Sequence, residues 1–146
     1  MASQPAGVAS QGPLVSVIIP FYNGEVYISE ALDSALHQTY RNVEIIVVDD
    51  ASTVDPKPRL ASYGDRIFYI RRSSNGGVAA SRNTGIRASH GEFIAFLDQD
   101  DLWLPERLAR SVDELRNAPE LGMVVTNTLI QDERRGVRTP HWRSIT

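Results

Sequence analysis

Residues 43–52 read VEIIVVDDAS, an apolar, β-branched run closed by two adjacent carboxylates and a small turn. A run with so little polar alternation is a strand buried on both faces, and such strands belong to parallel sheets covered by helices. Working outward, LVSVIIP (14–20) is a second run of this kind, ended by Pro20. RIFYIR (66–71), EFIAFLD (92–98) and MVVTNTLIQ (123–131) read as three more strands, EFIAFLD again fully buried. Between them, Tyr27–His37 sets Ile28, Ala31, Leu32, Ala35 and Leu36 on one helical face, and Val78–Ser89 predicts a helix of small residues. Pro105 suits a helix start; that helix, to about Asn117, would bury Leu104, Leu108, Val112 and Leu115. Residues 51–65 are turn-rich and hold at most a short helix. Strands alternating with helices predict an α/β fold with a mostly parallel sheet.

Length and composition bound the rest. The 146 residues suffice for one compact domain. Residues 1–13 carry no charged side chain and no long apolar stretch, so they read as a flexible leader and not as a signal peptide. The domain itself is expected over 14–131, and 132–146 reads as a polar tail or the start of a further half. The absence of Cys removes disulfides, thiolate metal sites and cysteine nucleophiles together. Fifteen basic against 18 acidic residues give −3, which offers no general attraction to nucleic acid or anionic lipid. Leu14–Phe21, the most apolar run, is far too short to span a bilayer. Lys57 is the single lysine beside fourteen arginines. His37, His90 and His141 show no metal-binding spacing, and Trp103 and Trp142 read as packing anchors.

In a parallel sheet, ligands bind beyond the carboxyl ends of the strands, near a reversal in strand order. Polar clusters sit at those ends here: Asn23 and Gly24 after the first strand, Asp49 and Asp50 after the second, Asp98, Asp100 and Asp101 after the fourth. Five carboxylates on one rim repel one another and call for a cation. Hard oxygen ligands favour Mg²⁺ or Mn²⁺, which would take one or two carboxylates and complete its shell with water and phosphate. Either acidic cluster could instead cap a turn or the next helix. NGGVAASRNTG (75–85) is neither GxGxxG nor a P-loop, but its backbone N–H groups could cradle phosphate, and the Arg82 guanidinium could reach one. An ordinary turn leading into a packed helix is the alternative.

VSVIIPFYN (15–23), VEIIVVDDAS (43–52), NGGVAASRNTG (75–85) and GEFIAFLDQDDLWLPERL (91–108) together resemble the family 2 glycosyltransferases, over about Leu14 to Thr126. The resemblance implies the GT-A fold, a Rossmann-like, mostly parallel sheet, here incomplete at the C-terminus. It implies transfer of a sugar from a nucleotide diphosphate, UDP being the commonest, to a glycan, lipid or other hydroxyl acceptor, usually with inversion. Pro20, Phe21 and Tyr22 would line the nucleobase slot. One of Asp49 and Asp50, with Asp50 favoured, would hold the base or ribose. Arg82 would lie near the base or diphosphate, Asp98 would contact the ribose, Asp100 the metal, and Asp101 is the usual companion acid. The family's catalytic base comes from an acidic motif well downstream, and no residue of this chain is assigned to it; Asp132 and Glu133 are not promoted. The expectation is a donor-binding half, working in the cytoplasm or at the inner face of the membrane, in a setting such as polysaccharide assembly. A catalytically inactive nucleotide-binding or interaction module of the same fold is the alternative. A phosphoacceptor receiver domain would need its acidic pair after the first strand and a lysine at a late strand end, and Lys57 is not there.

Overall fold

The structure, a computed structural model, describes residues 12–132 and 137–140. Most of the expected leader, and residues 133–136 and 141–146 of the expected tail, lie outside the described residues. Two compact units follow each other along the chain, one up to Leu108 and one from Ala109.

The first unit is built on four parallel strands: β1 (Val15–Phe21), β2 (Val43–Asp49), β3 (Phe68–Arg71) and β4 (Phe93–Phe96), in the order β3-β2-β1-β4. The two most continuously apolar runs take the two central places. β1 is buried at every position, and β2 from Ile45 to Asp49. They pair from Val15 with Val43 through Phe21 with Asp49. α1 (Ile28–Leu36) buries Ile28, Ala31, Leu32 and Ala35, the face its spacing predicts. Just past its end the buried Gln38 is fully used: its amide donates to the Ser34 and Leu104 carbonyls and accepts from Leu108 N–H. Residues 51–65 hold only α2 (Lys57–Leu60) and the beginning of a 3₁₀ segment, Ala61–Arg66.

α3 (Gly77–Ala88) lies on β1 and β2. Small residues allow it to come close: a Cβ at Gly85 would stand 2.4 Å from Ile18 Cγ2. Nearer approach brings more of the helix against the sheet, which is why the run reads as small residues and carries little apolar periodicity.

Three expectations need correction. The outer strands are not buried on both faces: Phe68 in β3 and Ile94 and Phe96 in β4 are exposed, because these strands form the sheet's two edges. Leu104 does not join the helix core; α4 (Arg107–Asn117) starts three residues later and Leu104 is exposed, whereas Leu108 and Val112 are buried. The run 123–131 is a strand only at its end. Met123–Thr128 makes no strand pairing, and Met123 and Val125 are exposed. In the second unit β5 (Leu129–Asp132) instead forms an antiparallel hairpin with β6 (Val137–Pro140), a segment that reads as polar tail in the sequence. A ladder is satisfied by a neighbour's backbone, so an apolar run without one stays unpaired and a polar run beside one becomes a strand. No helix among the described residues is long and apolar enough to cross a membrane.

Candidate functional site

All four strands point the same way, so their carboxyl ends share one rim. The chain leaves β1 towards β2 and β3, then returns to place β4 on the other side of β1. The reversal in strand order thus falls between β1 and β4, where such sheets open a crevice. Asp50 and Asp98 follow the strands on either side of β1, two strand spacings or about 10 Å apart across the sheet.

Asp49 ends β2 fully enclosed, with both oxygens occupied. Its Oδ1 accepts from Ser52 N–H at 2.8 Å; its Oδ2 accepts from the Tyr69 hydroxyl at 2.6 Å and from Arg71 Nη1 at 3.0 Å. Burial pushes the Tyr69 hydroxyl up to about 12, and the bond to Asp49 adds to this because it holds the proton in place. Asp50 is also buried and also occupied. It accepts from the Gly76 and Gly77 N–H groups at the start of α3 and forms an ion pair with Arg72. Burial alone would raise its pKa, but the two backbone donors and the guanidinium prevail and hold it below the ordinary carboxylate value.

The connecting loops are laced to one another. Asp50 N–H donates to Phe21 O, Asn23 N–H to Ser52 Oγ, and Asn23 Oδ1 accepts from Thr53 N–H and its hydroxyl. Asn23 and Ala51 both have positive φ, 48° and 60°. Asn tolerates that region, whereas an alanine held there costs about 1–2 kcal/mol, strain that the surrounding bonds sustain at the rim.

Across the crevice, Asp98 is half-exposed and accepts from Arg82 Nη2 at 2.7 Å; the Arg82 guanidinium lies 5.2 Å from the Phe96 ring centre. Asp98 O accepts Asp101 N–H, closing a turn that leaves Asp100 in solvent. Burial, then the charges of Asp98 and Asp100, raise the Asp101 carboxyl; Arg107 opposes them, its own pKa lowered first by burial. Arg107 in turn lies 4.0 Å from the Trp103 ring centre. Gln99, between the two acids, bonds to the backbone of Tyr22 at both polar atoms: its Oε1 accepts Tyr22 N–H at 2.9 Å and its Nε2 donates to Tyr22 O at 3.3 Å.

The rim therefore collects the expected residues and redistributes their duties. Pro20 and Phe21 are enclosed in β1, and of the three expected slot residues Tyr22 alone is exposed. The repulsion among five carboxylates is relieved largely from within: Arg71 serves Asp49, Arg72 serves Asp50 and Arg82 serves Asp98. Among the described residues, Asp100 and Asp101 form no ion pair, and no three His, Asp or Glu side chains gather closely enough to cage a metal. The two arginines ending β3 and the amide of Gln99 were missed in the sequence. Their signal was available: Arg71-Arg72 close the third strand as Asp49-Asp50 close the second, and parallel neighbours bring such ends together.

Comparisons with known proteins bear on the family and the fold. Residues 16–145 match the model of "Glycosyl transferase family 2". An uncharacterised glycosyltransferase of Rickettsia typhi is 43% identical over 113 residues, 77% of this chain and 35% of the relative. The UDP-Glc:alpha-D-GlcNAc-diphosphoundecaprenol beta-1,3-glucosyltransferase WfgD of Escherichia coli is 40% identical over 100 residues, 68% of this chain and 40% of the relative. Among solved structures, S. aureus TarS 1-349 in complex with UDP-GlcNAc superimposes with a TM-score of 0.67 at 32% identity, covering 72% of this chain and 32% of that one. The mannosyltransferase PcManGT of Pyrobaculum calidifontis, in complex with GDP-Man and Mn²⁺, gives 0.66 at 32% identity, covering 77% and 36%. The chain thus spans between about a third and two fifths of the length of these proteins. Four motifs, a parallel sheet that superimposes on these structures and a family match over residues 16–145 converge: this chain belongs to glycosyl transferase family 2, and its sheet is part of that family's GT-A fold.

Proposed function

We propose that this chain is the nucleotide-sugar-binding part of an enzyme that moves a sugar from a nucleoside diphosphate to an acceptor hydroxyl with inversion, in the cytoplasm or at the inner face of the membrane. One observation carries the reading: at the β1/β4 crevice, Asp98 is paired to Arg82, while the neighbouring Asp100 is exposed and forms no ion pair among the described residues. The first is positioned to accept ribose hydroxyls; the second is left to a cation. Mg²⁺ or Mn²⁺ fits this donor set, since such ions use few carboxylates and take remaining ligands from water and phosphate. Burial first, then the charges of Asp98 and Asp100, raise the Asp101 carboxyl, and a cation would relieve the second of these. When bound, the metal would neutralise charge developing on the departing diphosphate. Asp100 would hold it, and Arg82 would offer its guanidinium to the nucleotide.

In this reading Tyr22 supplies the open edge of a nucleobase slot whose floor is Pro20 and Phe21. Asp49 supports the slot through Ser52 and Arg71, and Asp50, with lone pairs beyond its three protein donors, is the acid that would meet the base or ribose. The acceptor, a glycan, lipid or other hydroxyl compound, and the base that deprotonates it are not assigned to residues of this chain. The UDP-GlcNAc and GDP-Man complexes of the two structural neighbours support the donor class, and the Mn²⁺ in the second supports the cation.

Calorimetric titration of UDP and of GDP, each with and without Mn²⁺, tests the reading. Binding of one nucleotide that strengthens with Mn²⁺ is expected, and Asp100→Ala should abolish the metal dependence. Equal, negligible heats in all four titrations would overturn it.

A further inference from the structure

We infer that Gln99 is a positioning residue that fixes the Tyr22 segment to the Asp98–Asp100 turn across the β1/β4 crevice; this rests on the nucleotide-binding reading above. The main-chain ladder between these strands stops early. Their paired positions end at Ile18 with Phe96, and the last rung is Leu97 N–H donating to Ile18 O at 3.1 Å. Beyond it the two chains separate. A carboxamide has the same polar pair as a peptide unit, one N–H donor side and one carbonyl acceptor. Gln99 uses both against the N–H and C=O of a single residue, Tyr22, and so continues the ladder with a side chain where the backbone no longer reaches.

Space has been left for it. A Cβ on Gly24 would fall 2.3–2.5 Å from the Gln99 carboxamide carbon, oxygen and nitrogen, so any larger residue at 24 would displace the amide. The other side of the same segment is tied to the β2 loop through Phe21 O and Asn23. Only the Gln99 bonds connect it to the turn carrying Asp98 and Asp100 among the hydrogen bonds described. They set the distance between the exposed Tyr22 ring and the two carboxylates, the groups that must meet base and diphosphate in one ligand. Preorganising that distance removes an ordering cost at binding.

The experiment compares the chain with its Gln99→Ala, Gly24→Ala and Gly24→Ala/Gln99→Ala variants. The readouts are Mn²⁺-supported binding of UDP and GDP, amide hydrogen exchange at Tyr22, and thermal unfolding. Gln99→Ala should weaken the preferred nucleotide about tenfold, the scale expected when two hydrogen bonds that preorganise a site are lost. The Tyr22 amide should lose protection, while the melting temperature stays within about 2 °C. Gly24→Ala should reproduce the defect, and the double variant should be no weaker than Gln99→Ala, since both act through one amide. A folded Gln99→Ala chain that binds as tightly as the parent overturns this inference alone. Fully additive losses in the double variant also overturn it. A parent chain that binds neither nucleotide overturns the functional reading, and this inference with it.

Discussion

Replacing Asp50 by Asn separates the structural weight of the buried acid after β2 from that of the half-exposed acid after β4. Asp50 is 3% exposed and receives two backbone N–H groups, Gly77 at 2.6 Å and Gly76 at 3.0 Å, together with the Arg72 guanidinium. Bonds to a charged group are worth about 1.5–3 kcal/mol each, against about 0.5–1.5 for neutral ones. Asn keeps the shape and one acceptor oxygen, but it leaves Arg72, whose side chain is 21% exposed, without its counter-charge. Removing one partner of a wholly buried pair costs about 3–5 kcal/mol, and partial access to water reduces that. The expected loss is about 2–4 kcal/mol at pH 7. With a urea slope of about 1.5 kcal/mol/M, the unfolding midpoint should fall by about 1.3–2.7 M, read by circular dichroism. The dependence on pH follows from the sign of the shift. Asp50 is depressed below its ordinary value of 3.8, so its contribution is complete above that value and fades as the pH falls through the lower folded-state value. The gap between parent and variant should close accordingly in acid. Asp98→Asn supplies the contrast: its pair with Arg82 has side chains 44% and 35% exposed, so its stability cost should be at most about 1 kcal/mol. A loss below about 0.5 kcal/mol for Asp50→Asn, or equal losses for the two variants, would refute this division of labour.

Gly85→Ala should destabilise the chain by about 1–3 kcal/mol, because the new methyl would stand 2.4 Å from Ile18 Cγ2 and push α3 off β1; an unchanged urea midpoint would contradict that packing. Tyrosine absorbance at alkaline pH should show a phase near pH 12 that Tyr69→Phe removes. Burial first and then the bond to Asp49 lift the folded-state value above the ordinary 10.0, so the stability tied to the protonated Tyr69 hydroxyl is complete below pH 10 and is lost as the pH rises through about 12. Persistence of that phase in the variant would place the perturbed hydroxyl elsewhere.

The central sheet and the α1 face were legible because each rests on a local pattern. VSVIIP and EIIVVD are apolar without alternation, and Ile28, Ala31, Leu32 and Ala35 repeat at helical spacing. Edge and centre were not distinguishable, because IFYIR and FIAF are as apolar as the central runs; what exposes Phe68, Ile94 and Phe96 is strand order, a non-local property. The run from Met123 misled for a related reason. Strand propensity states what a segment can do beside a partner, and residues 123–128 pair with none among the described residues. The acidic clusters were legible as groups at strand ends. Which cation serves each was not, since Arg71 and Arg72 lie 22 residues beyond the acids they neutralise.

That pairing changes what the acidic residues imply. Five carboxylates on a rim would ordinarily argue for a metal on charge grounds alone, yet three of them already hold guanidinium partners. A chain whose cations are fourteen arginines and one lysine meets these acids with guanidinium groups, each through one nitrogen. That leaves further N–H donors for neighbours, as Arg71 gives one to Ser52 O. Asp49 and Asp50 consequently fix the β2–β3 and β2–α3 connections, and the need for an external cation contracts to Asp100 and Asp101. Concentrating the unmet charge at one turn, beside the crevice where β1 and β4 part, would in the proposed reading give a divalent ion one place to bind. Neutralising Arg72 or Arg82 from outside would spread that charge back along the rim. In the proposed reading, the ionic selectivity of the site would thus depend on the arginines that occupy Asp49, Asp50 and Asp98 as much as on Asp100, the acid proposed to hold the ion.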